Sequence, residues 1–119
     1  MKSYKELEIW QKSIDLGIKI YQITRCFPPD EKYGLTSQIR RSTVSIPSNI
    51  AEGWGRNSKK EFIHFLHIAK ASCMELETQL LFSSKLNLHD PAELENINNQ
   101  LESIIKMINK LISKLKILH

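Results

Sequence analysis

The chain is poor in the residues that punctuate or staple a fold. In 119 residues it has two cysteines, Cys26 and Cys73, with four glycines and four prolines. Two thiols cannot build a disulfide framework, so a stapled extracellular scaffold is excluded. So little glycine and proline excludes collagen-like and linker-rich architectures. No apolar run is long enough to span a bilayer. The first residues, Met1-Lys2-Ser3-Tyr4-Lys5-Glu6-Leu7-Glu8, carry charge where a secretion signal needs an apolar stretch. These absences predict a soluble, reduced, cytoplasmic protein.

What is present is ordinary globular composition, 41% apolar and 25% charged, in a length suited to a single domain, residues 1–119. The periodicity is helical throughout. In the last segment Leu94, Ile97, Leu101, Ile104, Ile108, Leu111, Leu115 and Leu118 alternate spacings of three and four, widened by Ile105 and Ile112. Asp90, Pro91 and Glu93 supply an N-cap, a first-turn proline and a near capping box, predicting a helix over about 91–116. Before it, Ser58-Lys59-Lys60-Glu61 is a capping box, and Phe62, Leu66, Ala69, Cys73, Leu76 and Leu80 continue a helix over about 59–87.

The first helix is expected from about Tyr4 to Arg25. It has two apolar stripes: a seam of Leu7, Trp10, Ile14, Gly17, Tyr21 and Thr24, and a second line of Ile9, Leu16, Ile20 and Ile23. Together they cover roughly 200° of arc, where a bundle helix needs about 100° or somewhat more. The second stripe, Ile9, Leu16, Ile20 and Ile23, is therefore expected to be a subunit interface. Helix two is expected over about Leu35–Gly53, with Leu35, Ile39, Ile46 and Ile50 inward and a kink at Pro47. The predicted fold is all-α, an antiparallel up-and-down four-helix bundle.

Catalytic patterns are weak. Gly53-Trp54-Gly55 begins like a dinucleotide fingerprint, but position 58 is Ser and no strand precedes it. Ser42, Thr43, Ser45 and Ser48 have no histidine nearby, and helical serines usually bond their own backbone or line tight packing. A di-iron bundle needs two Glu-x-x-His motifs and two more glutamates. This chain has only Glu61 with His64, and Glu61 already serves as a capping residue. No enzyme activity, cofactor or metal site is expected, and the cysteines read as small hydrophobes.

Charge is informative by its distribution. The net charge is +4, but residues 1–31 are neutral and residues 32–60 set Lys32, Arg40, Arg41, Arg56, Lys59 and Lys60 against Glu52 alone. Residues 61–102 carry seven acids against Lys70 and Lys85, and residues 103–119 carry four lysines and no acid. Arg40 and Arg41 fall off the apolar face and are expected to project outward. Arg56, Lys59 and Lys60 surround a helix start whose free N–H groups favour an anion. These five residues are the candidate nucleic-acid contacts, through phosphate; the competing reading is a solvated charged face. Lys106, Lys110 and Lys114 form a row opposite the apolar seam, where cations near a helix C-terminus are favourable without any partner. Trp54 has two readings, a cap on the end of the bundle or a stacking surface for a base.

The run Ile39-Arg40-Arg41-Ser42-Thr43-Val44-Ser45-Ile46-Pro47-Ser48-Asn49-Ile50-Ala51-Glu52-Gly53-Trp54-Gly55-Arg56, with Leu7-Glu8-Ile9-Trp10 and Glu75-Leu76-Glu77-Thr78-Gln79-Leu80, resembles the four-helix-bundle proteins encoded in 23S rRNA intervening sequences. The resemblance covers nearly the whole chain and implies three things. The fold would be an antiparallel four-helix bundle. The protein would be a homo-oligomer, since characterised relatives form homopentameric rings. It would bind nucleic acid, RNA before DNA, because similar accessory variability proteins of diversity-generating retroelements are basic pentamers that bind nucleic acid and a reverse transcriptase. The alternative is an interaction scaffold docking a reverse transcriptase or a ribosome-associated protein. Within the signature, Asn49 and Glu52 are read as satisfying backbone freed at Pro47, and Gly53 and Gly55 as permitting the turn into helix three. Asn87 stands where many relatives have a glycine ending that helix, a left-handed position that Asn tolerates.

Overall fold

The computed structural model describes residues 2–118, and it contains four long helices with no strand among those residues. They are α1 (Glu8–Thr24), α2 (Leu35–Gly55), α3 (Lys59–Lys85) and α4 (Pro91–Ile117). Each helix packs on its neighbours in the chain, and α1 closes the square against α4. The result is an up-and-down bundle of 49 × 23 × 20 Å.

The helix boundaries follow from local chemistry. Ser58 accepts a hydrogen bond from the Glu61 N–H to open α3, and Asp90 accepts one from the Ala92 N–H to open α4 behind Pro91. Asn87 ends α3 with φ of 57°, a left-handed residue that is not glycine. Helix α1 starts later than its periodicity suggests. Tyr4–Glu6 is a 3₁₀ turn capped by Ser3, and Leu7 is extended, so the α-helix opens only at Glu8.

Helix α2 runs unbroken through Pro47. Asn49 donates to the Ser45 carbonyl and hydroxyl beside it, while Glu52 turns away to Arg56. Glu52 therefore does not serve the proline site. Gly53 and Gly55 are not turn residues either: both lie in the last helical turn, and no glycine has positive φ. The left-handed residue of the turn is Asn57, at φ 54°. Gly53 is needed for proximity instead. A Cβ there would sit 2.7 Å from the Phe65 Cβ and 3.1 Å from the Phe62 Cδ1.

Small residues hold α2 close to both partners. Ser42 donates to the Gln79 side chain at 2.9 Å in the interior and Ser45 meets Ser72 at 2.8 Å nearer the surface, forming a polar seam with α3. Toward α1, Thr43 sits against Gly17, where a Cβ would approach its methyl to 3.2 Å.

The core corrects the reading of α1. Ile9, Leu16 and Ile20, expected at a subunit interface, are buried in the centre of the bundle with Ile39, Ile46, Ile50, Leu66, Leu76, Leu101 and Ile108. Ile23 is half-buried against the same cluster. Ser13 and Thr24 continue this stripe, and each satisfies its hydroxyl on its own helix, Ser13 on the Trp10 carbonyl and Thr24 on that of Ile20. The expected seam contributes Leu7 and Thr24 to the interior, but Trp10, Ile14, Gly17 and Tyr21 face the boundary with α2 and are only half-buried.

Helix α4 shows a smaller shift. Ile97, Leu101, Ile104 and Ile108 are buried as the heptad requires, but then Ile112 takes the core place while Leu111 and Leu115 are half-buried. A straight helix drifts by about 20° per heptad, so two heptads beyond Ile97 the drift is about 40°, and Leu111 and Ile112 lie at similar angles on either side of the core direction.

Candidate nucleic-acid interface

The five candidate contacts fall into two separate groups. Arg40 and Arg41 lie near the start of α2, and Arg56, Lys59 and Lys60 lie at the α2–α3 turn. Sixteen residues of helix at 1.5 Å each put roughly 24 Å between Arg40 and Arg56. They do not form one patch.

Arg40 does not project freely into solvent. Its Nε donates to the Thr24 hydroxyl at 2.9 Å, and its Nη2 donates to the Tyr21 carbonyl at 3.3 Å. The guanidinium lies over the Tyr21 ring, 4.4 Å from its centre. It thereby bonds the Tyr21 carbonyl and complements the negative dipole at the C-terminus of α1. Arg41 is outward, as expected, but is engaged at 2.8 Å by the Glu75 carboxylate. Hydrogen bonding from Arg41 holds that carboxyl below its ordinary range.

At the other group, Arg56 is shared between Glu52 at 3.7 Å and Glu61 at 3.6 Å, with its plane over Phe65. Lys59 and Lys60 are exposed and have no ion-pair partner among the described residues. Trp54 packs edge-on to Phe62, with ring centres 6.1 Å apart, and is half-buried against the core. It closes that end of the bundle.

Antiparallel packing adds what chain order concealed. The start of α1, the α2–α3 turn and the end of α4 share one end of the molecule. This half, residues 2–16, 46–72 and 105–118, holds eleven lysines and arginines against five acids. The other half, residues 17–45 and 73–104, holds six against eight. Lys110, Lys114 and Lys116 on α4 are exposed and unpaired among the described residues, and Lys12 faces Lys110 and Lys114 across the α1/α4 groove. The Lys106–Lys110–Lys114 row is thus continuous with the basic end. Lys106 is held by Glu102 at 3.4 Å.

Chemistry elsewhere is muted. Burial, with Glu77 nearby, pushes the Cys73 thiol up to about 12, while Cys26 is exposed. His64 and His67 are exposed on α3. The feature that periodicity did not single out is an apolar groove of about 570 Å³ between α1 and α2. Its floor is Ser13, Gly17, Thr43 and Pro47, and its walls include Ile14, Ile18 and Val44.

The comparisons agree with this architecture. A crystal structure of a protein of unknown function from the S23 ribosomal protein family of Bacteroides thetaiotaomicron superposes with a TM-score of 0.78 at 27% identity. The match covers 87% of this chain and 97% of that one. No curated protein matches significantly. Residues 5–110 match the family described as 23S rRNA-intervening sequence protein. With nearly the whole bundle inside that match, the chain belongs to the 23S rRNA-intervening sequence protein family.

Proposed function

We propose that the protein is a non-enzymatic, homo-oligomeric nucleic-acid-binding protein of the cytoplasm, a pentamer as the family resemblance implies. Its ligand is RNA, held largely through phosphate. The observation that carries this reading is the gathering of unpaired lysines at one end of the bundle. Lys59, Lys60, Lys110, Lys114 and Lys116 present cations there without acidic partners among the described residues, beside the N-terminus of α3. Arg56 stands among them. Arg40 and Arg41 are reassigned to holding helices together, because their guanidinium groups are already occupied.

Binding is tested by salt titration on 23S rRNA fragments and random RNA in parallel. The expected result is affinity falling steeply and similarly with salt for both RNAs, and falling further in Lys59→Glu/Lys60→Glu. Salt-independent binding, or full affinity in the double variant, overturns the reading. A second reading, a scaffold for a protein partner such as a reverse transcriptase or ribosome-associated protein, is favoured by the open apolar groove on α1/α2. In that case RNA leaves the purified protein unbound, and pull-down recovers one protein consistently.

A further inference from the structure

Helices α1 and α4 close the square of the bundle, but they do not meet flush. A trough runs between them, about 560 Å³ at the end of Leu7 and Lys114 and about 240 Å³ toward Lys19 and Gln100. The two parts join at Lys12 and Ser103. The larger part has an apolar floor, with Leu7 and Ile9 buried and Met107 and Leu111 half-buried. Ser103 is exposed and is the smallest side chain lining either part, so it keeps the trough open at its middle. At 1.5 Å per residue, Glu8 to Lys19 spans about 17 Å of α1 and Gln100 to Lys114 about 21 Å of α4, room for about three turns of a third helix laid alongside.

The two rims differ in charge. On the α4 side Lys110 and Lys114 line the trough, with no acid beside them on that rim and no ion-pair partner among the described residues. On the α1 side Glu8, Lys12, Asp15 and Lys19 follow one another at spacings of four, three and four, so that rim alternates in sign. Glu8 and Lys12 meet at 3.6 Å. A nucleic-acid strand carries one sign along its whole length, and in the trough it would meet Glu8 and Asp15 as well as the lysines. A helix carries different charges on the two flanks of its apolar stripe, so it can match both rims at once.

We propose that the α1/α4 trough docks an amphipathic helix of a partner protein. The helix sets its apolar stripe on Met107 and Leu111, an acidic flank against Lys110 and Lys114, and a flank of mixed charge against α1. This goes beyond the RNA reading and does not depend on it. The trough is also separate from the α1/α2 groove, with which it shares no residue. Lys110 and Lys114 serve both ligands, so a docked helix covers part of the basic end and leaves Lys59 and Lys60 to RNA.

The probe is a fluorescein-labelled peptide of about 18 residues, crosslinked between side chains because free helices of that length are marginal. It carries leucines at i, i+3, i+4 and i+7 and glutamates along one flank. Fluorescence anisotropy on the full chain is expected to show saturable binding. Ser103→Trp, which fills the trough at an exposed position, and Lys110→Glu/Lys114→Glu, which reverses one rim, should each weaken it about tenfold or more, with circular dichroism confirming the fold. Lys59→Ala/Lys60→Ala should leave it unaltered. A peptide of the same composition with its leucines scattered around the helix should bind about tenfold more weakly, and a lysine-flanked twin should not bind. No binding by the unaltered chain, binding that survives Ser103→Trp, or equal binding of the scattered peptide overturns the proposal. Random RNA titrated on the same proteins separates the two readings. RNA affinity lost in Ser103→Trp places RNA in the trough and overturns the docked helix. A chain that takes the peptide in the trough but ignores RNA sinks the RNA reading alone.

Discussion

Arg40 illustrates how one side chain can resemble a ligand contact and serve as a joint. Its guanidinium reaches the Thr24 hydroxyl, the Tyr21 carbonyl and the Tyr21 ring, tying α2 to the end of α1. Arg40→Ala is expected to cost about 1–2 kcal/mol in chemical denaturation, since charged hydrogen bonds and a cation–π contact are lost together. RNA affinity of the folded variant should be unchanged. Arg40→Lys should recover little, because an ammonium cannot fork between two acceptors and stack. The helical glycines give a paired test. Gly53→Ala drives a methyl into Phe65 and Phe62 and is expected to destabilise by about 1–3 kcal/mol. Gly55→Ala meets nothing within 4 Å and is expected to gain about 0.5 kcal/mol from helix propensity. The cysteines differ just as sharply. Cys73 is held protonated in the fold, with a thiol raised to about 12, whereas an unfolded thiol ionises near 9. The unfolded chain therefore loses this proton first as pH rises. The contribution to stability is complete below about pH 9 and is lost between there and about pH 12. A thiol reagent at neutral pH should label Cys26 rapidly and Cys73 only on unfolding.

At the scale of elements, the caps and long apolar series of α3 and α4 were legible because each is written within a few adjacent residues. Ser58, Asp90 and Pro91 do in the structure what their identities require. Helix α1 was legible as a helix but not in its rotation. Its two stripes compete over a wide arc, and Trp10 and Tyr21 made the α2-facing line look like the core. What the stripes left out is Ser13, a core residue whose hydroxyl is satisfied on the Trp10 carbonyl of its own helix. That signal lies in packing, not in periodicity. The basic site was half legible for a related reason: chain order shows segregated charge, but only antiparallel folding brings residues 59–60 and 110–116 to one end. Ser13→Val separates the two rotations. Ser13 is buried in the core, so valine adds a methyl beyond the one that replaces the hydroxyl and is expected to destabilise by about 1–3 kcal/mol, where an outward-facing position would tolerate it. Leu16→Asp, in the middle of the same stripe, should abolish the cooperative transition. On an interface stripe it would instead leave a folded monomer.

For the whole molecule, the consequence of this folding is electrostatic direction. One end concentrates eleven cations and the other is weakly acidic, so a polyanion approaching the bundle meets attraction at one end and mild repulsion at the other. The slope of log affinity against log salt measures how many phosphates are neutralised, about 0.7 per contact on single strands. If Lys59 and Lys60 each hold a phosphate, Lys59→Ala/Lys60→Ala should flatten the slope by about 1.4 and weaken binding on every RNA alike. Arg41→Ala at the far end removes only an exposed ion pair with Glu75, worth about 0.5 kcal/mol of stability, and should leave the slope unaltered. Equal effects from both ends would show that total charge, and not its placement by the bundle, governs binding. A slope altered only by the lysines at the α2–α3 turn would locate the RNA at that end. Fluorescence anisotropy of one labelled RNA over a salt series on the three proteins decides between them.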